Sequence, residues 1–430
     1  MSKIRVGWSS SREAGHSLYL EFLDSPPEGI EYVVPKSVPA PGRSFKGSLR
    51  EKVLRSPFIR SRVDSVLSQG LDAEGARRIS AYSLMRMARR SGLLAHSGAG
   101  WGSEFDIFHS NGSAMVENIP LIVENDVRWI VDFEHVGALF GYYGDWRARL
   151  NDGRAKKILT KQLTSKYCRR IVPWTEAART TLESVLPDPA IAEKTEVLPL
   201  AIRPAPPRPK DVEAHDSVRI LFMGSSNHRG EFWSKGGFEV LEAFRRLRAR
   251  HGDAVELNFR CWMPADIAAE YAKDPGIRQF PGFLPKEELD RLFWGSDIFL
   301  FPSHHTPGMA LLEGMRFGLP VVAKDIWANR ELVHDGVSGY LVRPSEKVPY
   351  YLPGYVPNWS MDRGPFISYM KMRDDRVIDD LASRLSDLVQ DPGLRERMGQ
   401  EARKVVEEGH ASVKRRNPRL RTIYEEAVKR

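Results

Sequence analysis

Two series of short apolar runs, separated by a proline-dense stretch, constrain this chain more than any other feature. The first series is Lys3-Ile-Arg-Val-Gly7, Glu31-Tyr-Val-Val34, Phe105-Asp-Ile-Phe108, Trp129-Ile-Val131 and Arg170-Ile-Val172. The second is Arg219–Met223, Glu256–Phe259, Ile277–Phe280, Ile298–Phe301, Val321–Ala323 and Tyr340–Val342. Runs this short, spaced by helical or loop segments, are the pattern of parallel sheets covered by helices. Between the series, Ala201-Ile-Arg-Pro-Ala-Pro-Pro-Arg-Pro-Lys210 is extended and stiff, as a connection between units should be. A chain of 430 residues, 42% of them hydrophobic, supplies two such cores. The expected division is a first α/β domain over 1–203, a linker over 204–216, a second α/β domain over 217–410, and a closing helix over 411–430.

Composition narrows the setting. Cys168 and Cys261 fit neither a disulfide framework nor a zinc spacing, which favours a reducing compartment. The N-terminus enters a strand-like run without an apolar leader, and no apolar stretch of about 18 residues is present. A cytoplasmic protein is expected. The net charge of +8 is concentrated in residues 42–90. No nucleic-acid reading motif accompanies it, so nucleic acid is not the expected partner. Within 48–67, Leu49, Val53, Leu54, Phe58, Val63 and Leu67 recur near helical spacing among basic residues, with Pro57 interrupting. That segment is expected to touch an anionic membrane surface peripherally.

The chemistry concentrates in Pro302-Ser-His-His-Thr-Pro-Gly-Met-Ala-Leu-Leu-Glu-Gly-Met-Arg-Phe-Gly-Leu-Pro-Val-Val-Ala-Lys-Asp325. It reads as a loop, a helix opened near Thr306-Pro307-Gly308 and stopped by Gly318 and Pro320, then a buried strand. The free N–H groups of such a helix mouth, Gly308, Met309 and Ala310, suit a diphosphate. Glu313, about a turn and a half further on, is placed to accept hydrogen bonds from two ribose hydroxyls. Upstream, Met223-Gly-Ser-Ser-Asn-His-Arg-Gly-Glu-Phe-Trp-Ser-Lys235-Gly-Gly links the first strand of the second series to a helix starting near Phe238.

These segments resemble the family-4 glycosyltransferases, the glycosyl transferases group 1. Their signature has two glutamates eight residues apart, then Gly-x-Pro-Val-Val-Ala, then Glu-x-Val-x-Asp-Gly-x-x-Gly-x-Leu-Val. Glu313 matches the second glutamate and Glu331-Leu-Val-His-Asp-Gly-Val-Ser-Gly-Tyr-Leu-Val342 the later part, while His305 stands at the first glutamate. The resemblance implies a GT-B fold, two facing Rossmann-like doubly wound domains with a C-terminal helix crossing back to the first. It also implies retaining transfer from a nucleoside diphosphate sugar to a sugar or lipid-linked acceptor, with neither cofactor nor metal.

Residue by residue, the resemblance assigns Gly224 and Lys235 to the diphosphate. Ser225 stands at the family arginine, and Arg229 is the candidate replacement. Gly282 and Phe283 match the loop that reads the nucleobase. His135 and His305 take the sugar side, and His109 is a lesser candidate for that side. Gly15 and His16 occupy the first domain's phosphate or acceptor loop. Asp132 and Glu134 flank the His135 strand end without an assigned base role. Two alternatives stand beside this reading: an epimerase or phosphorylase of the same fold, and a glycan-binding protein impaired by His305. The proline-rich insertion, residues 345–374, matches no family element and is expected to lack regular structure.

Overall fold

The computed structural model describes residues 3–8, 17–33, 104–112, 127–140, 146–224, 231–271, 273–280, 282, 284–304, 309–361 and 363–429. The basic segment 48–67 lies outside them. Each of the eleven apolar runs forms a strand. In the first unit these are β1 (Ile4–Trp8), β2 (Ile30–Val33), β3 (Ile107–Asn111), β4 (Trp129–Phe133) and β5 (Cys168–Pro173). All pair in parallel in the order β2-β1-β3-β4-β5. The Phe105 run becomes strand only from Ile107, because Asp106 turns the chain. Its Oδ2 accepts the Arg5 N–H at 2.8 Å.

The helices of this unit are α1 (Ser17–Asp24), α2 (Trp146–Asn151), α3 (Gly153–Leu163), α4 (Glu176–Val185) and α5 (Pro189–Lys194). Local chemistry starts three of them. Asp152, Thr175 and Asp188 are extended residues whose side chains accept the first free N–H groups of α3, α4 and α5.

The second unit contains β6 (Val218–Met223), β7 (Val255–Arg260), β8 (Ile277–Gln279), β9 (Ile298–Phe301), β10 (Val321–Lys324) and β11 (Gly339–Val342), all parallel. Their order is β11-β10-β9-β6-β7-β8. Strands β9 and β10 are buried along their whole length, as a sheet covered on both faces requires. The helices are α6 (Glu231–Ser234), α7 (Gly237–His251), α8 (Ala265–Tyr271), α9 (Lys286–Trp294), α10 (Met309–Arg316) and α11 (Asn329–Leu332). After them come α12 (Arg363–Met370), α13 (Asp375–Gln390), α14 (Pro392–Glu407) and α15 (Val413–Lys429). No described helix is long and apolar enough to cross a membrane.

The chain ends by crossing back to the first unit. From α15, Tyr424 places its hydroxyl 2.7 Å from His109 Nδ1 and 3.0 Å from the Tyr32 hydroxyl, and Arg128 donates to the Val428 carbonyl at 2.8 Å. Leu420, Ile423 and Tyr424 are fully buried, each contributing about 1.5–3 kcal/mol of apolar burial. Pro418 lies inside this helix rather than at its start. The helix begins earlier than the proline suggests because the Ser412 hydroxyl accepts the Lys414 N–H.

The insertion corrects the expectation that its prolines forbid regular structure. Tyr351–Leu352 (β12) and Val356–Pro357 (β13) form an antiparallel hairpin, followed by α12. Pro353 opens the intervening turn, Pro357 lies on a hairpin of two strands, and Pro365 falls in the first turn of α12. Each position has no obligatory N–H partner to lose.

Candidate functional site

The strand order places the site. The chain runs β6, β7, β8 outward on one side, then returns to start β9 on the other side of β6. The strand order therefore reverses between β6 and β9, the place where ligands of open α/β sheets bind beyond the carboxyl ends. The segment after β6 carries Gly224 and Lys235, and that after β9 leads into the helix carrying Glu313.

Glycine makes the close approaches there. A Cβ on Gly224 would stand 2.4 Å from Cys261 Sγ, while the Gly224 N–H donates to the Arg260 carbonyl at 2.8 Å. Gly236 has φ +79°, and a Cβ there would stand 2.4 Å from the Pro302 carbonyl oxygen. That contact presses the start of α7 against the end of β9. His304 N–H then donates to the Ser234 carbonyl at 2.9 Å. Lys235, half-buried between them, holds its Nζ 5.8 Å from the Phe301 ring centre.

Glu313 sits half-buried on α10, with the Arg260 guanidinium from the tip of β7 acting on it electrostatically. Burial lowers the Arg260 pKa, and the Glu313 charge opposes that shift. Met309 and Ala310, in the first turn of α10, are half-buried against the core. Gly282 is exposed, with open space around it. Ser225, Arg229, Phe283, His305, Gly308, Gly15 and His16 lie outside the described residues.

Three buried charged or polar groups beside Lys235 were not singled out by the sequence. Glu239 on α7, His304 after β9 and Lys324 at the end of β10 meet at one point. Glu239 Oε1 lies 2.7 Å from His304 Nε2 and 2.8 Å from Lys324 Nζ. They are 6%, 4% and 1% exposed. Burial pushes the Glu239 carboxyl up, yet its contacts with Lys324 and His304 outweigh burial and hold the group far below the carboxylate range. Burial and then Lys324 lower the His304 pKa, keeping the ring neutral, while Lys324 is lowered by burial against the pull of Glu239. The sequence did carry a signal: a lysine directly after the apolar Val321-Val-Ala323, and a glutamate inside Phe238-Glu-Val-Leu241.

On the first unit, His135 follows β4 and is 2% exposed. Its ring stacks on Trp359 at 4.6 Å and 8°, with Trp146 at 5.2 Å and Trp327 at 6.4 Å. Since Trp327 and Trp359 come from beyond β10, His135 lies where the two units touch. Contact with a sugar therefore requires this packing to shift. Asp132 and His109 belong to the interior: Asp132 Oδ2 accepts the Trp174 indole N–H at 3.0 Å, and His109 is held by Tyr424. Phe133 and Phe140 are core residues.

The segment Glu331–Val342 has a structural use. Glu331 accepts the N–H groups of Glu176 and Ala177, both at 2.8 Å, and so caps α4 of the other unit. Asp335 Oδ1 accepts the Leu341 N–H at 2.9 Å, and Gly336 takes φ +73° in the turn before β11. Among the described residues, no group of His, Cys, Asp or Glu is arranged to hold a metal ion.

Residues 217–349 match the family model described as Glycosyl transferases group 1. The amylovoran biosynthesis glycosyltransferase AmsK of Erwinia amylovora is 30% identical over 162 residues, covering 35% of this chain and 38% of that protein. An uncharacterized 41.2 kDa protein in the cps region of Klebsiella pneumoniae is 24% identical over 129 residues, 30% of this chain and 33% of that one. The matches thus span 38% and 33% of the two relatives.

Among solved structures, Anabaena HepE in complex with UDP has a TM-score of 0.59 at 12% identity, covering 98% of this chain and 100% of HepE. Sucrose-phosphate synthase from Thermosynechococcus elongatus gives 0.55 at 15%, over 77% and 76%. A glycosyltransferase from Rickettsia africae gives 0.54 at 14%, over the whole of both chains. The likeness at this identity is one of fold, and it is the GT-B fold. Residues 217–349 therefore resemble a glycosyl transferases group 1 domain, carried as the second unit of a chain with the GT-B fold.

Proposed function

We propose that this chain transfers a sugar from a nucleoside diphosphate donor, UDP- or GDP-linked, to a sugar or lipid-linked acceptor, with retention at the anomeric carbon. The observation that carries this reading is the meeting of the Lys235 turn with the loop after β9, at the crevice between β6 and β9. In the reaction the anomeric carbon's bond to the diphosphate oxygen breaks, the acceptor hydroxyl oxygen forms the new one, and the hydroxyl proton leaves with the nucleoside diphosphate. Negative charge builds on the departing diphosphate, and the cationic Lys235 offsets it. Glu313 holds the ribose hydroxyls and the first turn of α10 faces the phosphates, while the resemblance gives the sugar side to His305 and His135. AmsK, a glycosyltransferase of amylovoran biosynthesis, supports a place in surface polysaccharide synthesis. HepE, crystallised with UDP-glucose, supports a UDP-linked donor.

The test is incubation with UDP- and GDP-sugars, followed by mass spectrometry for free nucleotide and glycosylated product. Wild-type protein is expected to release nucleotide, and Lys235→Ala to do so about 100-fold more slowly with its fold unchanged. Equal rates for the two proteins would remove Lys235 from the leaving-group site.

A further inference from the structure

Helix α3, Gly153-Arg-Ala-Lys-Lys-Ile-Leu-Thr-Lys-Gln-Leu163, carries four cations and no acid. Its inner face is apolar: Leu159 and Leu163 are buried in the first unit's core, and Ala155 packs against it. Arg154, Lys157, Ile158 and Lys161 are exposed, and their i, i+3, i+4, i+7 spacing places them on one outward stripe. Lys166, just beyond the helix, is exposed as well.

Two features separate this stripe from an ordinary solvated face. On other helices an exposed cation meets an acid about one turn away, as Arg179 meets Glu176 on α4, Arg384 meets Asp387 on α13 and Lys404 meets Glu401 on α14. Among the described residues, Arg154, Lys156, Lys157, Lys161 and Lys166 form no ion pair. Asp152, the acid before the helix, uses its carboxylate to accept the Arg154 and Ala155 N–H groups. Like charges one turn apart repel, so an anionic surface laid against the stripe gains from each of them. The second feature is Ile158, which lies among these cations with 54% of its surface exposed. An apolar side chain ringed by cations matches a bilayer interface, where anionic head groups lie over acyl chains. A nucleic-acid backbone supplies the counter-charge without the apolar layer.

We propose that the outer face of α3 docks this protein on a bilayer bearing anionic lipid head groups, Arg154, Lys157 and Lys161 meeting the head groups and Ile158 entering the boundary with the acyl chains. The proposal does not rest on the donor reading. Asn151, two residues before α3, donates to the Ser360 carbonyl of the second unit at 2.8 Å, so the helix begins where the two units meet. Docking lays that junction beside the lipid surface.

The experiment is sedimentation of the full chain with vesicles of phosphatidylglycerol and phosphatidylcholine, or of phosphatidylcholine alone, at about 0.05 M and about 0.5 M salt. Each cation near an anionic surface raises partitioning about fivefold, and salt screens it. Wild type is expected to sediment with the anionic vesicles only and to be released at the higher salt. The basic segment 48–67 carries charge of its own, so the α3 variants decide. Lys157→Glu/Lys161→Glu is expected to weaken partitioning more than about 25-fold with an unchanged unfolding transition, both side chains being exposed. Ile158→Ser is expected to weaken it about 5-fold with the salt dependence kept. Wild type that ignores anionic vesicles, or a Lys157→Glu/Lys161→Glu variant that partitions like wild type, would overturn the proposal. Unchanged partitioning of Ile158→Ser would leave a purely ionic face and overturn the lipid assignment, as would retention of RNA without sedimentation with vesicles.

Discussion

Replacing Lys324 by methionine keeps an unbranched side chain, one atom shorter, and removes its charge. In the native protein the Lys324 ammonium lies 2.8 Å from Glu239 Oε1, and both residues are buried. The other oxygen, Oε2, is buried without a hydrogen-bond partner. With the lysine gone, Glu239 keeps only the His304 contact, and a carboxylate remains in a site of low polarizability. Breaking a buried pair from one side costs about 3–5 kcal/mol, a large part of the roughly 5–15 kcal/mol that holds a typical domain folded. Urea unfolding, followed at the tryptophans, is expected to show that loss for Lys324→Met. The Glu239→Gln/Lys324→Met double variant removes both charges, so it is expected to be more stable than Lys324→Met alone. Two results would refute the reasoning: a Lys324→Met cost within about 0.5 kcal/mol of zero, the range of ordinary surface changes, or costs in the double variant that simply add.

Acid should weaken the fold in two stages. His304 is kept below its ordinary 6.5 by burial and Lys324, so the unfolded chain binds a proton that the native site refuses. Stability is full above about pH 6.5 and declines below it, and His304→Gln should flatten that first limb, leaving the share of His410, whose pKa burial also lowers. Glu239 lies below its ordinary 4.5 once Lys324 and His304 have outweighed burial, so its contribution is lost as pH falls below about 4.5. Unfolding midpoints independent of pH from 7 to 4 would exclude the first stage, and midpoints unchanged from about pH 4.5 down to about pH 2 would exclude the second. Glu331→Ala removes the cross-unit acceptor of two α4 N–H groups and leaves the Thr175 cap, and should cost about 0.5–2 kcal/mol in thermal unfolding, whereas an unchanged transition would mean that the cross-unit cap adds nothing.

Local signals in the sequence carried the elements well. Gly318 and Pro320 stop α10 as expected, with Gly318 at φ +75°, and the strands fall on the apolar runs because a sheet buried on both faces needs them there. What depends on distant packing was not legible. The apolar neighbours of Glu239 hint at burial, but nothing local names its partner, and only the fold brings it to Lys324. His135 reads as a lone strand-end histidine, since nothing near it announces that Trp359, more than two hundred residues on, will stack on its face. The insertion was misjudged for a local reason: proline was read as excluding structure, although a hairpin and a first helical turn have places for it.

Calorimetric titration of UDP and GDP into wild-type protein and Glu313→Ala tests the central claim most directly. One of the two nucleotides is expected to bind wild type, and Glu313→Ala to bind it more weakly by about 1–3 kcal/mol, the scale of hydrogen bonds lost to a charged group. Equal affinity of the two proteins for both nucleotides, with the fold intact, would contradict the placing of a nucleoside diphosphate on α10.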